Sequence, residues 1–131
     1  MESGGAAGVV LAWQDAVNDG DVDRLLALSD PDIAIVGPRG AGHGHDALRA
    51  WLERAGVRLT ALRLFARDRV VVVEQRGVWR SAETGHEPSA ATIAARFRIE
   101  DGRVTQFERF DTIDAALAAA GLEPADEIRD V

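Results

Sequence analysis

The feature that most limits the fold of this chain is a change of hydrophobic period at Val57. Before it, apolar side chains recur every three or four positions, for example at Val10, Trp13 and Val17, which is the spacing of an amphipathic helix. After it, the chain consists of runs rich in β-branched and aromatic residues, which are typical of strands. The sequence therefore predicts an α+β domain whose helices pack on one face of an antiparallel sheet.

Capping and turn residues set the boundaries of these elements. Asp21 and Thr112 are expected to cap helices, and Gly56 and Gly121 to end them. Asp101-Gly102 predicts a tight hairpin. The predicted strands cover residues 32–36, 57–66, 69–79, 89–99 and 103–110, and the last helix covers residues 113–120.

The composition is that of a globular protein with one domain. The chain has 131 residues, of which 47% are apolar and 28% charged, which is enough for a buried core in a single domain at residues 1–122. Residues 123–131 are acidic and lack apolar spacing, so they are predicted to form a loose tail.

Charge and residue usage exclude several classes of partner. A net charge of −7 argues against nucleic acid, because phosphate binding needs a basic face. The sequence contains no apolar run long enough to cross a membrane. It contains no cysteine, which fits a reducing cytoplasm, the location we expect. No cofactor is expected, because neither a dinucleotide-binding glycine motif after a strand nor a phosphate loop is present.

Four stretches carry a family resemblance, and they read "VVLAWQDAVNDGDVDRLLAL", "GHDALRAWL", "EDGRVTQFERF" and "AALAAAGL". Their order resembles the SnoaL-like, polyketide cyclase-like branch of the nuclear transport factor 2-like superfamily, over residues 6–122. The resemblance implies a cone, in which a strongly curved antiparallel sheet closes around a pocket with helices packed on its concave side. It also implies a homodimer formed through the outer face of the sheet.

Two enzyme types of this superfamily use residues that this chain lacks. Ketosteroid isomerases use a tyrosine, a carboxylate base and a protonated carboxylate, at positions that the resemblance places on Trp13, Gly37 and Ile93 or Ala94. An indole N–H could still donate a hydrogen bond, but no base is left to move a proton. Limonene-epoxide hydrolases use an Arg and an Asp on one strand and an Asp on the last, at positions that the resemblance places on Gln75, Gly77 and Arg109.

The register of the hairpin at Asp101-Gly102 decides which side chains face the pocket. A two-residue turn pairs Phe97 with Gln106 and turns Glu108 inward. A three-residue turn pairs Phe97 with Thr105 and places Phe107, Arg109 and Asp111 on the inner face. We adopt the second register because it matches the family and sets Phe107 among apolar partners.

In that register Arg109 and Asp111 are the best polar candidates for the pocket, with Gln75 on the neighbouring strand. A charge inside an apolar cone normally has a partner or a purpose. If the site is catalytic, Asp111 is the acid or base and Arg109 stabilises negative charge. The alternative is structural, with Asp111 favouring a helix start and Arg109 in an ion pair.

Aromatic and apolar side chains are expected to form the walls of the pocket. Trp51 lies in an apolar helical stripe and is predicted to belong to the core. Indole walls favour a small hydrophobic or aromatic ligand. The predicted wall residues are Trp13, Trp79, Ile93, Phe97 and Phe107.

The stretch "GAGHGHDALRAW" contains two of the three histidines. A metal site needs three protein ligands, and although His86 could approach from another loop, nothing in the sequence brings it near, so we predict no metal site. His43 could serve as a base at the mouth of the pocket, since imidazole titrates near neutrality. The plain interpretation is a helix entrance, with His45 and Asp46 in the first turn.

The outer face of the sheet carries both signs of charge among apolar residues, which suits a two-fold contact between copies of the chain. Its predicted members are Val70, Val72, Glu74, Arg76, Val78, Arg96 and Arg98. Two functions remain open at this point. One is a pocket protein that binds a small molecule and could act as an isomerase, cyclase or hydrolase. The other is a homodimeric assembly module whose cone is filled by its own side chains.

Overall fold

The computed structural model describes residues 5–37, 40–79 and 89–128. Within these ranges the helices are α1 (Gly5–Asp19), α2 (Val22–Ala27), α3 (Gly44–Ala55) and α4 (Ile113–Ala120). The strands are β1 (Ser29–Gly37), β2 (Gly40–His43), β3 (Val57–Arg67), β4 (Val70–Trp79), β5 (Ser89–Glu100), β6 (Arg103–Phe110) and β7 (Glu127–Ile128). No helix in the described ranges is both long and apolar enough to cross a membrane.

The helix boundaries follow the capping residues predicted from the sequence. The side chain of Asp21 accepts a hydrogen bond from the Arg24 N–H, and that of Thr112 accepts one from the Ala115 N–H. These bonds satisfy backbone donors that a first helical turn leaves free. Gly56 and Gly121 adopt the left-handed conformation after α3 and α4, with φ of 51° and 72°. Glycine carries no side chain that would clash in that conformation, so both helices end there.

The described strands form a seven-stranded sheet in the order β2-β1-β6-β5-β4-β3-β7. Its pairs are antiparallel except for β1 and β6, which run parallel. The sheet is curved, and register shifts interrupt the β3–β4 and β5–β6 pairs. Such bulges bend a strand and increase its twist, so they help the sheet to close into a cone.

The concave face of the sheet holds the main core. Helices α1 to α3 pack against it, and Val10 and Trp13 of α1 are completely buried against strand residues such as Val73 and Phe97. Alternate residues of β4 and β5 face this core because side chains alternate along a strand. The predicted α+β cone is confirmed, with α1 to α3 on its concave side.

Helix α4 packs on the opposite, convex face. Ala116 and Leu117 of α4 lie against Phe65, Val72 and Ala94, which form a second buried cluster. Val72 and Ala94 are therefore fully buried within one chain. The predicted dimer face included Val72, and this part of it is covered by the chain's own helix because α4 buries its apolar stripe there.

The hairpin between β5 and β6 follows neither predicted register. It has a two-residue turn, with Glu100 opposite Arg103, but a bulge at Thr105 shifts the strand by one residue. Phe97 therefore pairs with Phe107 instead of Gln106 or Thr105. Because the bulge reverses the alternation, the inner face is still the one that carries Phe107 and Arg109, whereas Glu108 lies on the convex face paired with Arg96.

Residues 123–128 of the predicted tail contain regular secondary structure. Pro124–Asp126 form a 3-10 turn, and β7 pairs with Leu64 and Phe65 of β3. Arg67 holds this segment through an ion pair with Asp126 at 2.7 Å. No apolar spacing marks this segment, because a two-residue strand and a side-chain ion pair need none. The remainder of the predicted tail lies outside the described residues.

Candidate functional site

Four aromatic rings fill the interior of the cone. Trp13 stacks on Trp51 with ring centroids 5.7 Å apart and contacts Phe97 and Phe107 at 5.2 Å. The Trp13 indole N–H donates a hydrogen bond to the Ser29 hydroxyl at 3.0 Å, so that donor is already used. Trp13, Phe97 and Phe107, predicted as pocket walls, are thus parts of a packed core, as was predicted for Trp51.

A buried amide pair closes the interior beside these rings. Gln75 on β4 is 1% exposed, and its side-chain oxygen accepts a hydrogen bond from the side-chain amide of Gln14 on α1. The bond satisfies two polar groups that would otherwise be costly to bury. Gln75 therefore links the sheet to α1, and its oxygen is not left free.

Trp79 covers the end of the concave face where β4 ends and β5 begins. Its indole folds back over Gly77, two residues earlier on the same face of β4. A Cβ atom added at Gly77 would lie 2.7 Å from the Cη2 atom of Trp79, which is too close for carbon atoms. The absence of a side chain at Gly77 is what allows the indole to lie flat on the strand. We call Gly77, Trp79, Ile93 and Arg109 the mouth.

Arg109 on β6 completes the mouth. Its guanidinium carbon lies 5.1 Å from the centroid of the Trp79 ring, a cation–π distance. Its Nε atom is buried and makes no hydrogen bond within the described part of the chain. No ion pair joins Arg109 to a carboxylate of the described residues. Arg109 therefore presents a half-buried positive charge without a protein counter-ion in the described ranges.

The arginines of a cleft elsewhere on the molecule differ in this respect. A cleft of about 560 Å³ lies on the far side of the molecule, where α4 meets the turn between β3 and β4. Its cations Arg67, Arg69 and Arg98 form ion pairs with Asp126 or with Glu100. The cations of this cleft thus have ion-pair partners, whereas Arg109 has none among the described residues.

The two remaining predicted residues lie outside the enclosed part of the cone. Asp111 is exposed in the bend between β6 and α4, because β6 ends at Phe110 and the chain turns towards the cap at Thr112. It forms no ion pair with Arg109, so the predicted inward-facing pair of Arg109 and Asp111 is not formed. His43 is exposed at the end of β2 and immediately precedes α3.

The histidine stretch forms the entrance of α3, as its plain interpretation predicted. His43 occupies the N-cap position with extended backbone, but its side chain makes no capping bond. His45 in the first turn forms a 3.0 Å hydrogen bond with the Ser29 carbonyl. Within the described ranges no three histidine, aspartate or glutamate side chains cluster as metal ligands would. His86 lies outside these ranges.

Three residues of this region were not singled out from the sequence as parts of the site. Gln14 and Ser29 are the partners of Gln75 and Trp13, and they become partners only when α1 packs on the sheet. Gly77 could have been identified from the sequence, because a glycine two positions before a tryptophan in a strand leaves room for the ring on the same face.

Most of the chain matches a known protein family. A family model of the SnoaL-like domain matches residues 10–107. That span contains most of α1, all of α2 and α3, β1 to β5, the first part of β6 and three of the four mouth residues. A comparison with curated proteins gives no significant match.

Solved structures share the fold at low sequence identity. A protein of unknown function from Burkholderia pseudomallei, with a nuclear transport factor 2-like fold, is 21% identical over 90% of this chain and 97% of its own, with a TM-score of 0.74. TerC, crystallised with polyporic acid, is 21% identical over 84% and 93%, with a TM-score of 0.72. A candidate polyketide cyclase from Xanthomonas campestris is 25% identical over 86% and 94%, with a TM-score of 0.67.

Proposed function

Because the chain belongs to the SnoaL-like domain family, we propose that it binds a small hydrophobic or aromatic molecule at the mouth of its cone. The observation that carries the proposal is Arg109, whose guanidinium stacks on Trp79 and whose buried Nε has no partner in the described residues. A buried donor without a partner costs free energy, which a ligand acceptor would recover. TerC, which has the same fold, was crystallised with a small organic molecule.

The roles of the residues follow from their positions. Arg109 orients a polar end of the ligand, and Trp79 with Ile93 contacts its apolar body. Phe107 and Phe97 support these side chains from the core, and Gln75 fixes α1 behind them. No aspartate or glutamate of the described residues is buried, so the proposal assigns ligand binding rather than proton transfer to this site. Asp111 and His43 are exposed and are not given a catalytic role.

The aromatic packing of the interior favours a second function. Trp13 and Phe97 are 0% exposed, so the deep part of the cone is occupied by the chain itself. A cone filled in this way suits a non-catalytic assembly module. The two functions differ in one respect, which is whether a small molecule reaches the mouth.

A titration followed by protein NMR separates them. With 1-naphthylmethanol, a neutral aromatic probe, we expect shifts of the backbone amides of Gly77, Ile93 and Arg109 and of the Trp79 indole N–H. Val70 and Arg98, which line the outer cleft, serve as internal controls and should not shift. Shifts confined to the outer cleft, or no shift up to the solubility of the probe, would refute the ligand site and favour the assembly module.

We also propose that two copies associate through the part of the convex face that α4 leaves uncovered. This part carries Leu62, which is 50% exposed, together with Arg76 and Val78. Glu74 beside them, which forms an ion pair with Arg63 of the same chain, supplies the opposite charge. A surface with an exposed apolar residue and both charge signs fits an isologous contact. A cytoplasmic location, consistent with the absence of cysteine, belongs to the same proposal.

A further inference from the structure

Trp79 occupies the place that a flat ligand would need at the mouth. The distal ring atoms Cη2, Cζ2 and Cζ3 lie within 2.7–3.2 Å of the position that a Gly77 Cβ would take. The indole therefore lies against the bare backbone of β4, and the Arg109 guanidinium lies within cation–π distance of its ring. An aromatic ring that contacts both a bare strand backbone and a cation is the arrangement expected of a bound aromatic ligand.

The positive charge of Arg109 indicates what kind of ligand would replace the Trp79 indole at the mouth. The indole satisfies the face of the guanidinium but offers no acceptor to its N–H groups. The Nε atom of Arg109 is buried without an acceptor among the described residues. A carboxylate would supply what the indole lacks, since it forms charge-assisted hydrogen bonds with a guanidinium. The mouth thus matches a ring that carries an anionic group.

We propose that Trp79 is an internal plug and that the ligand of the mouth is a planar aromatic acid, which displaces the indole from Gly77 and pairs with Arg109. The inference rests on the proposed function, because it refines the ligand of the same site. A protein whose open form is only a fraction of the population binds with an affinity reduced by that fraction. Removing the plug should therefore increase affinity, whereas removing a wall would decrease it.

The first experiment compares the wild type with Trp79→Ala by isothermal titration calorimetry, using 1-naphthoate as the probe. We expect Trp79→Ala to bind 1-naphthoate at least about tenfold more tightly, since opening is no longer required. Thermal unfolding of each variant verifies that it is folded. Weaker binding by Trp79→Ala would show that the indole is a wall, which overturns the plug while leaving the proposed function intact.

The second experiment locates the ligand on the floor of the mouth. In Trp79→Ala we expect Gly77→Ala to weaken 1-naphthoate binding about tenfold, because the added methyl group occupies the place of the ring. Gly77 lies in a strand without positive φ, so alanine is compatible with its backbone. Unchanged affinity in the double variant would overturn the assignment of the ligand to the site of the indole.

The third experiment tests the charge. In Trp79→Ala, 1-naphthoate should bind about tenfold more tightly than the neutral 1-naphthylmethanol, and Arg109→Leu should remove this preference. Arg63→Leu is the matched control, because Arg63 also stacks on an aromatic ring, that of Phe65, but outside the mouth. If Trp79→Ala with Arg109 intact binds both probes equally tightly, the proposal that the ligand is an aromatic acid is refuted. If neither 1-naphthoate nor 1-naphthylmethanol binds to the wild type or to Trp79→Ala, the proposed function itself is refuted.

Discussion

At the scale of single residues, the interior of this protein is stabilised by polar pairs that join helix to sheet. Gln14 of α1 donates to Gln75 of β4, and Trp13 of α1 donates to Ser29 of β1. All four side chains are nearly inaccessible to solvent. A buried donor or acceptor that loses its partner is costly, whereas replacing both by apolar groups is not. These pairs therefore specify the position of α1 on the sheet.

The amide pair makes a quantitative prediction. Gln14→Leu leaves the Gln75 oxygen without its donor and should lower the free energy of unfolding by about 1–3 kcal/mol. Adding Gln75→Leu should recover a large part of that loss, because both polar groups are then gone. Urea unfolding of the two single variants and the double variant measures the coupling. Strictly additive losses would contradict a specific bond between the two amides.

Ser29 makes a similar prediction for the aromatic cluster. Its hydroxyl accepts from Trp13 and donates to the Leu25 carbonyl at 2.8 Å. Ser29→Ala should cost about 1–3 kcal/mol because it leaves the buried indole N–H unpaired. Thr105→Ala, which removes an exposed hydrogen bond to the Arg98 carbonyl, is the control and should cost less than about 1 kcal/mol. Equal effects of the two substitutions in urea unfolding would argue against a stabilising role for the Trp13–Ser29 bond.

At the scale of elements, α4 determines how much of the convex face is free. The cap at Thr112 starts the helix, and Arg96 on β5 donates to the Ala119 carbonyl near its end. Between these two ends Ala116 and Leu117 cover Val72 and Ala94. The helix thus covers this part of the convex face, and near its end Arg96 attaches it to the sheet.

Substitution of the cap residue Thr112 tests how firmly α4 is held on the convex face. Thr112→Ala removes the bond to the Ala115 N–H and should destabilise α4 by about 1 kcal/mol. Amide exchange at Ala116 and Leu117 should then accelerate roughly fivefold if α4 opens on its own. Thr92→Ala, an exposed change on β5, is the control. Unchanged exchange in Thr112→Ala would show that packing alone holds the helix.

At the scale of the whole molecule, the two faces of the sheet are covered by different parts of the chain. The concave face is filled by helices and aromatic rings except at the mouth. The convex face is covered by α4 at one end and carries Leu62, Arg76 and Val78 at the other. Ligand binding and self-association are therefore proposed for separate surfaces and can be tested independently.

Self-association gives the prediction at this scale. The wild type should sediment as a dimer at micromolar concentration, and Arg76→Glu should weaken the dimer about tenfold by placing like charges together. Arg103→Glu makes the same charge change at the exposed β5–β6 hairpin and should leave the dimer intact. A monomeric wild type would refute the dimer proposal, and dissociation by Arg103→Glu would refute this location of the interface.

The sequence by itself determined the elements and their boundaries, because these depend on local chemistry. The β6 strand and α4 begin and end at the predicted residues, since glycines and capping side chains act on their own neighbours. β2 was missed because its glycine-rich segment shows no alternation of apolar and polar residues. A loose tail was predicted for residues 123–131 because an ion pair with the distant Arg67 leaves no pattern in the local sequence.

Only the tertiary structure decided what the concave face contains. One bulged residue, Thr105, fixed the register of β6 and with it the inward direction of Arg109, and no local rule predicts where a strand bulges. Trp13, Phe97 and Phe107 could each have lined a pocket, but they pack on one another, and Trp51 of α3 packs onto Trp13 and Phe107. Whether Arg109 has a counter-ion likewise depends on which carboxylates the fold brings near, and none of the described residues supplies one. Those contacts join residues far apart in the chain, so they exist only once the chain has folded.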